Sequence, residues 1–202
     1  MNEPLPTARA NELRDAVREK YRDVSRDPGE RFPYPVGRES ALGLGYEAAW
    51  LDAVPASIVD RFVGVGNPFR VDPPAPGDHV LDLGCGSGLD VLVAAQLVGA
   101  QGRVVGVDLT PEMIEGAELA AEDGSLGNID LQVGDVETLP FEDGGFDLVF
   151  SNGVLNLVPD KDAAFREAWR VLKPGGRFVI ADLLVTETVP QILLESLDAW
   201  ST

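Results

Sequence analysis

The 202-residue sequence contains a single cysteine, Cys85, and a single histidine, His79. One cysteine excludes an internal disulfide, and no metal site is predicted. No apolar run reaches about 18 residues, so no membrane-spanning helix is expected. The N-terminus has neither the basic start nor the apolar stretch of a secretory signal. We therefore expect a cytoplasmic protein.

Basic residues are scarce, with 16 Lys and Arg against 34 Asp and Glu and a net charge of −18. A chain this acidic repels polyanions, so we expect neither nucleic acid nor a membrane as its partner. Hydrophobic residues make up 45% of the chain, which is enough for a substantial core. The length favours one domain with an accessory segment.

The N-terminal third predicts a helical cap. Apolar residues recur at helical spacing within the first 24 residues, from Leu13 to Val24. Residues 25–45 are rich in proline and glycine and predict a loop or lid. The prolines after Asp72 mark a boundary, so we divide the chain into a cap or lid of residues 1–75 and a core of residues 76–202.

Strand-like and helical stretches alternate after residue 78. This pattern predicts an α/β fold, Rossmann-like, with a doubly wound and mostly parallel sheet. Its ligand crevice should lie beyond the carboxyl ends of the strands, where the strand order reverses. The predicted strands are 79–83, 103–108, 129–134, 146–151 and 177–182, and the predicted helices lie at about 89–98, 111–122 and 160–172.

A glycine-rich turn, "LDLGCGSG" at residues 81–88, joins the first core strand to the first core helix. Its spacing differs from the dinucleotide fingerprint, because Leu89 stands where the third glycine belongs. No lysine follows, as a nucleoside triphosphate loop would require. Asp108 ends the second strand, where it could accept both hydroxyls of a ribose. Asp135 follows the third strand, where it could accept the amine of adenine.

Four motifs together resemble class I S-adenosylmethionine-dependent methyltransferases: "LDLGCGSG" (81–88), "GVDLTPEMIEGA" (106–117), "GDVETLPFEDGGFDLVFSN" (134–152) and "VLKPGGRFVIAD" (171–182). The resemblance implies S-adenosylmethionine as cofactor and S-adenosylhomocysteine as product. The residues expected at the cofactor are Asp82, Gly84, Cys85, Gly86, Gly88, Asp108, Leu109, Met113, Gly134, Asp135, Val136, Ser151 and Asn152.

Further motifs resemble the arsenite methyltransferase branch, among them "GVGNP" (64–68) and "SNGVLNLVPDKDAAFREAWRVLKPGG" (151–176). Trivalent arsenic requires several thiolate ligands. That family has cysteines where this chain has Val65 and Gly153. Because Cys85 alone cannot form such a site, arsenite is not the expected acceptor.

The resemblance implies methyl transfer to a small-molecule acceptor by in-line displacement, in which the protein supplies alignment and excludes water. The catalytic residues are unknown, with Asn152, Asn156 and Tyr21 as candidates. Three alternatives remain: a cofactor-binding protein with a regulatory or assembly role and no catalysis, an arsenite methyltransferase relative with an altered substrate, and a methyltransferase acting on protein or RNA.

The family fold ordinarily has two further strands beside the fifth. Only 20 residues follow Asp182, and we expect them to form one helix with an apolar face from Ile192 to Trp200. The fold is therefore expected to lack the last two strands. Its fifth strand would be an open edge. Either the chain is a fragment of a longer protein, or a second copy covers this edge in a homodimer.

Overall fold

The computed structural model describes residues 5–27, 29, 32, 34–123, 127–184 and 186. The elements are α1 (Thr7–Val24), α2 (Gly37–Gly43), α3 (Ala48–Asp52), α4 (Ala56–Val59), α5 (Pro68–Val71), β1 (His79–Leu83), α6 (Leu89–Val98), β2 (Arg103–Asp108), α7 (Pro111–Asp123), β3 (Ile129–Val133), β4 (Phe146–Asn152), a 3₁₀ turn (Leu155–Leu157), α8 (Lys161–Val171) and β5 (Leu172–Ala181). Within the described residues, five helices precede the first strand, and helices follow β1, β2 and β4, whereas β3 leads to β4 through a loop.

The sheet has five parallel strands in the order β3-β2-β1-β4-β5. The order reverses between β1 and β4, and this confirms the predicted Rossmann-like fold class. β1 shows why these segments form central strands: Val80, Leu81 and Leu83 are fully buried, as expected where both faces of a parallel sheet are covered.

Helices cover the sheet on both faces. α6 and residues of the cap, including Tyr46 and Phe69, pack on one face in a cluster that reaches Phe150 of β4. α8 packs on the other face, through Ala164 and Ala168. A smaller cluster around Val24 joins α1 to α7. Residues of the cap thus contact the core through two apolar clusters, a larger one on the sheet and a smaller one between α1 and α7.

Two predicted boundaries are wrong. β5 begins at Leu172 rather than at residue 177, because Leu172 pairs with Phe146 before a bulge displaces residues 173–176 from the ladder. The segment 25–45, predicted as a loop, contains α2, because Ala41 is fully buried in the core and stabilises a short helix there.

Within the described residues, β5 pairs with β4 alone. The helix expected after Asp182 lies outside the described residues. Dimerisation through this edge therefore stays a prediction. Among the residues described, no helix has the length and apolar character required to cross a bilayer.

Candidate functional site

A cavity opens above the point where the strand order reverses, and its volume is about 760 Å³ including the open mouth. The ends of β1, β2, β3 and β4 form its floor, and α1 forms part of its wall. It is lined by Arg14, Val17, Tyr21, Val63, Gly84, Gly86, Asp108, Leu109, Thr110, Gly134, Asp135, Val136, Glu137, Asn152, Gly153, Val154, Leu157, Val158 and Pro159.

The glycine turn forms the floor at the end of β1. Gly84 has a φ of +78°, and a Cβ added there would lie 2.3 Å from Cγ2 of Val154. Only glycine therefore allows both the backbone conformation and the close approach of Val154. Gly86 also has a positive φ, but a Cβ added there would meet no atom within 4 Å. Its backbone therefore faces open space in the cavity.

Asp108, at the end of β2, fixes this turn. Its carboxylate accepts hydrogen bonds from the amides of Gly86, at 2.9 Å, and Thr110, at 2.8 Å. Burial raises the pKa of Asp108, and these two amides oppose the rise. A carboxylate can accept about four hydrogen bonds, so the ionised side chain retains capacity for a ligand in the cavity.

Two more carboxylates, Asp82 and Asp90, are buried beneath the turn. Oδ2 of Asp82 is buried without a hydrogen-bond partner. Burial raises the pKa of both groups, and that of Asp90 reaches about 6. Within the described part of the chain, none of Asp82, Asp90 and Asp108 forms an ion pair. The floor therefore holds three buried carboxyl groups whose ionisation a bound cation would favour.

Asn152, at the end of β4, connects the cap to the core. Its Oδ1 accepts hydrogen bonds from the amides of Val65 and Gly66, each at 3.0 Å. Its Nδ2 donates to Asp90 and to the carbonyl of Gly66, both at 2.9 Å, and to Oη of Tyr46 at 3.2 Å. Tyr46 in turn donates to Asp90 at 2.5 Å. The amide of Asn152 is thus committed to holding the loop of residues 64–66 against β4.

Sequence reasoning missed a charged cluster at the end of β3. Nε of Arg14, on α1, lies 3.0 Å from Oδ2 of Asp135, and the same guanidinium pairs with Glu137. Oδ1 of Asp135 accepts a hydrogen bond from the amide of Glu137 at 2.9 Å. The available signal was the spacing of Arg14, Arg18 and Arg22, four residues apart on one helix face.

The other arginines of that helix face also contact the core. Nε of Arg18 donates to the carbonyl of Leu109 at 3.4 Å, and Nε of Arg22 donates to Glu112 at 2.8 Å. α1 is therefore attached to the ends of β2 and β3 by charged contacts along its length.

The predicted cofactor residues fall into two groups. Eight line the cavity: Gly84, Gly86, Asp108, Leu109, Gly134, Asp135, Val136 and Asn152. Five are absent from its lining: Asp82, Cys85, Gly88, Met113 and Ser151.

The residues of the second group are held in other surroundings. Met113 packs with Val24 in the cluster between α1 and α7. Cys85 is buried in the core, and burial raises the pKa of its thiol. A Cβ added to Gly88 would lie 2.9 Å from Cβ of Ala117. Oγ of Ser151 is buried without a hydrogen-bond partner.

Two of the three catalytic candidates line the cavity, namely Asn152 and Tyr21. Burial raises the pKa of Tyr21, and so do the nearby Tyr34 and Asp108. Its hydroxyl therefore stays protonated at neutral pH and can donate a hydrogen bond. Asn156 does not line the cavity, and its backbone N–H donates a hydrogen bond to the carboxylate of Asp182.

The wall that follows β4 is apolar, and it is formed by Val154, Leu157 and Val158. Beside it, Val65 and Gly153 are neighbours: a Cβ added to Gly153 would lie 3.3 Å from Cγ1 of Val65. The two positions singled out in the sequence are thus brought together, and neither offers a side-chain atom that could bind a metal.

Residues 74–202 match a methyltransferase domain family. The chain is 43% identical to an arsenite methyltransferase of Halobacterium salinarum over 73% of its length, which is 37% of that protein. It is 37% identical to a ubiquinone/menaquinone biosynthesis C-methyltransferase of Vibrio parahaemolyticus over 62% of its length, or 48% of that protein.

A solved structure is also similar, that of an arsenic(III) S-adenosylmethionine methyltransferase from Chlamydomonas reinhardtii. It superimposes with a TM-score of 0.66 and 44% identity over 73% of this chain and 52% of that chain. The chain thus spans about two fifths to one half of the length of these relatives.

Proposed function

Because this chain belongs to the class I S-adenosylmethionine-dependent methyltransferases, in the branch similar to arsenite methyltransferases, we propose that it methylates a small organic acceptor. The observation that supports this most directly is the group of buried carboxyl groups Asp82, Asp90 and Asp108. Within the described residues none of them is paired with a cation, and burial raises the pKa of each, so their ionisation is costly. A buried charge is costly unless it is paired. The cofactor of this family is a cation, with a sulfonium and an ammonium group, and it would supply the missing positive charge.

The residues present fit this cofactor better than a dinucleotide. A pyrophosphate placed against the same carboxylates would be repelled, and the turn offers no lysine to bind it. In our proposal Asp108 accepts the ribose hydroxyls, Asp135 accepts the adenine amine, and the backbone at Gly86 allows close approach. The positive charge at the amino-acid end of the cofactor would favour the ionised form of Asp82, whose pKa is raised by burial beneath the turn.

The cofactor supplies a methyl group that is already activated by the positive sulfur. The chain therefore has to hold the two reactants in line and exclude water. Asn152 holds the loop of residues 64–66 at the end of β4, and α1 covers the cavity. Tyr21 can donate a hydrogen bond to the acceptor from the wall formed by α1. No general base of the chain is required for an acceptor that arrives as an anion or a neutral amine.

The acceptor in this proposal is an apolar organic molecule and not arsenite. The wall after β4 carries Val154, Leu157 and Val158, and such a surface favours apolar groups. Val65 and Gly153 offer no thiolate, whereas trivalent arsenic requires a set of soft ligands. The similarity to a C-methyltransferase of quinone biosynthesis agrees with an apolar acceptor.

Calorimetric titration with S-adenosylmethionine and, separately, with NAD tests the cofactor assignment. We expect binding of the former alone. Release of S-adenosylhomocysteine with apolar phenols or enols, measured in the same preparation, tests the transfer. Binding without release over the whole panel would favour the alternative of a cofactor-binding protein, and no binding would contradict the proposal.

The proposal that arsenite is not the acceptor has a separate test. The double variant Val65→Cys/Gly153→Cys is titrated with phenylarsine oxide under reducing conditions. We expect the double variant to bind the arsenical, whereas the wild type and the single variant Val65→Cys do not. Methylation of arsenite by the wild type would contradict our assignment. Gly153 has a φ of +74°, so cysteine there costs about 1–2 kcal/mol, and folding is checked by thermal unfolding.

A further inference from the structure

The charged cluster at the end of β3 has a function beyond attaching α1 to the core. We propose that Arg14 is a positioning residue that orients Asp135 and thereby makes the cavity selective for a purine bearing an amine. This inference rests on the proposed function, in which Asp135 accepts the amine of adenine. It adds a residue of the cap to the part of the site that recognises the base.

The first step concerns the orientation of Asp135. Oδ2 lies 3.0 Å from Nε of Arg14, in an ion pair without hydrogen-bond alignment, and Oδ1 accepts the amide N–H of Glu137. The hydrogen bond to Oδ1 and the attraction of the guanidinium for Oδ2 together favour one rotation of the carboxylate. An ionised carboxylate has about four acceptor sites and no donor, so two sites remain for a ligand. Those sites can accept an amine but repel a carbonyl oxygen.

The second step concerns charge. Asp135 and Glu137 are two residues apart, and the side chain of Glu137 is only 6% exposed. Without a cation, the two carboxylates would repel each other, and Asp135 would rotate towards solvent. Arg14 pairs with both, so it holds them together on the cavity wall. The hydrogen bond from Arg14 to Glu137 is charge-assisted, and such bonds are about twice as strong as neutral ones.

The third step separates positioning from simple attachment of the helix. Arg22 lies on the same face of α1 and forms an ion pair of 2.8 Å with Glu112, but it does not contact Asp135. Its side chain is 42% exposed and that of Arg14 is 23% exposed. Removing Arg22 weakens the attachment of α1 and leaves Asp135 in place. Arg22→Ala is therefore the matched control for Arg14→Ala.

The experiment compares two ligands, S-adenosylhomocysteine and S-inosylhomocysteine, in which a carbonyl replaces the purine amine. Dissociation constants are measured by calorimetry for the wild type, Arg14→Ala, Arg14→Lys and Arg22→Ala. We expect Arg14→Ala to lower the affinity for the adenosyl ligand about tenfold and to reduce its preference over the inosyl ligand. Arg14→Lys should restore part of that preference, and Arg22→Ala should leave it unchanged.

Several outcomes would overturn the inference. If Arg14→Ala and Arg22→Ala weaken both ligands by the same factor, Arg14 only attaches the helix. If Arg14→Ala binds the adenosyl ligand more tightly, the guanidinium occupies the place of the purine amine. If the wild type binds neither ligand, the proposed function fails and this inference fails with it. Thermal unfolding shows whether Arg14→Ala is folded. If it is not, the comparison of Arg14→Lys with Arg22→Ala carries the test.

Discussion

The two sides of the cavity differ in chemistry although the strands beneath them are alike. On the side of β2 and β3, the residues that end or follow the strands are the carboxylates Asp108, Asp135 and Glu137. On the side of β4, the turn continues into Val154 and Leu157. The strands provide a common scaffold, and the residues directly after each strand determine which part of a ligand each side can bind. In our proposal one side binds the nucleoside and the other binds the apolar acceptor.

The two sides meet where Val154 packs against Gly84, and the largest effect is expected there. Gly84→Ala would place a Cβ 2.3 Å from Val154 in a backbone conformation that disfavours alanine. We expect the free energy of unfolding to fall by about 3–4 kcal/mol, from strain and overpacking together.

Urea denaturation measures this change, and Gly144→Ala is the control. Gly144 also has a positive φ, but a Cβ added there would meet nothing closer than 4.0 Å. We expect it to lose only about 1–2 kcal/mol. Val154→Ala should rescue part of the defect of Gly84→Ala. Equal losses at the two glycines would show that the contact with Val154 is unimportant.

The second-largest effect is expected from a substitution on the polar side of the cavity, at the end of β2. Asp108→Ala removes the proposed acceptor of the ribose hydroxyls and the partner of Gly86. Each hydrogen bond to a charged group contributes about 1.5–3 kcal/mol, so we expect affinity for S-adenosylmethionine to fall about a hundredfold. Calorimetry on Asp108→Ala and on Val158→Ala, from the apolar side, compares the two sides directly. A similar loss of affinity in both variants would contradict the assignment of the nucleoside to the polar side of the cavity.

The smallest effect concerns pH and the carboxylates beneath the turn. Burial raises the pKa of Asp90 from 3.8 to about 6, so the folded protein holds this proton more tightly than the unfolded chain. The corresponding stability is complete below a pH of about 4 and is lost as the pH rises through about 6. We expect the free energy of unfolding without ligand to fall by about 1 kcal/mol between about pH 5 and 7.

Binding of a cationic cofactor should show the opposite slope, because it favours ionised Asp90. Affinity for S-adenosylmethionine is expected to rise over the same interval. Asp90→Asn should make both profiles less steep without removing the slope, because the pKa values of Asp82 and Asp108 are also raised by burial. Asp147 and Glu167 do not interfere, since ion pairing lowers the pKa of each and their contributions are lost only in more acidic solution. A stability that rises from about pH 5 to 7 would contradict the assignment.

The sequence predicted the first four strands because their apolar runs are bounded by clear turn signals. It did not predict the start of β5, since "KPGG" has the chemistry of a turn and only the pairing of Leu172 with Phe146 shows that the strand has begun. Asp108 and Asp135 could be found because parallel strands bring their carboxyl ends together. Their position after a strand was sufficient to place both at the cavity.

Contacts between the cap and the core could not be predicted in the same way. Arg14 is 123 residues from Glu137 in sequence, and no local pattern links them. Met113 was expected at the cofactor through family resemblance, whereas the packing of α1 against α7 places it in an apolar cluster. Asn152 was a catalytic candidate because of its position, but its partners in the loop of residues 64–66 became visible only in three dimensions.

The arginine face of α1 has a consequence for the rate of ligand exchange in concentrated salt. Its charged contacts are partly exposed, and at about 1 M salt the screening length falls to about 3 Å. The remainder of the cap is held by buried aromatic residues such as Phe69, which salt does not weaken. Ionic strength should therefore loosen the wall formed by α1 while the rest of the cap stays in place. Dissociation of the nucleoside ligand would then become faster as the salt concentration rises. The residence time of the ligand on this acidic chain, with its 34 Asp and Glu residues, would therefore depend on ionic strength.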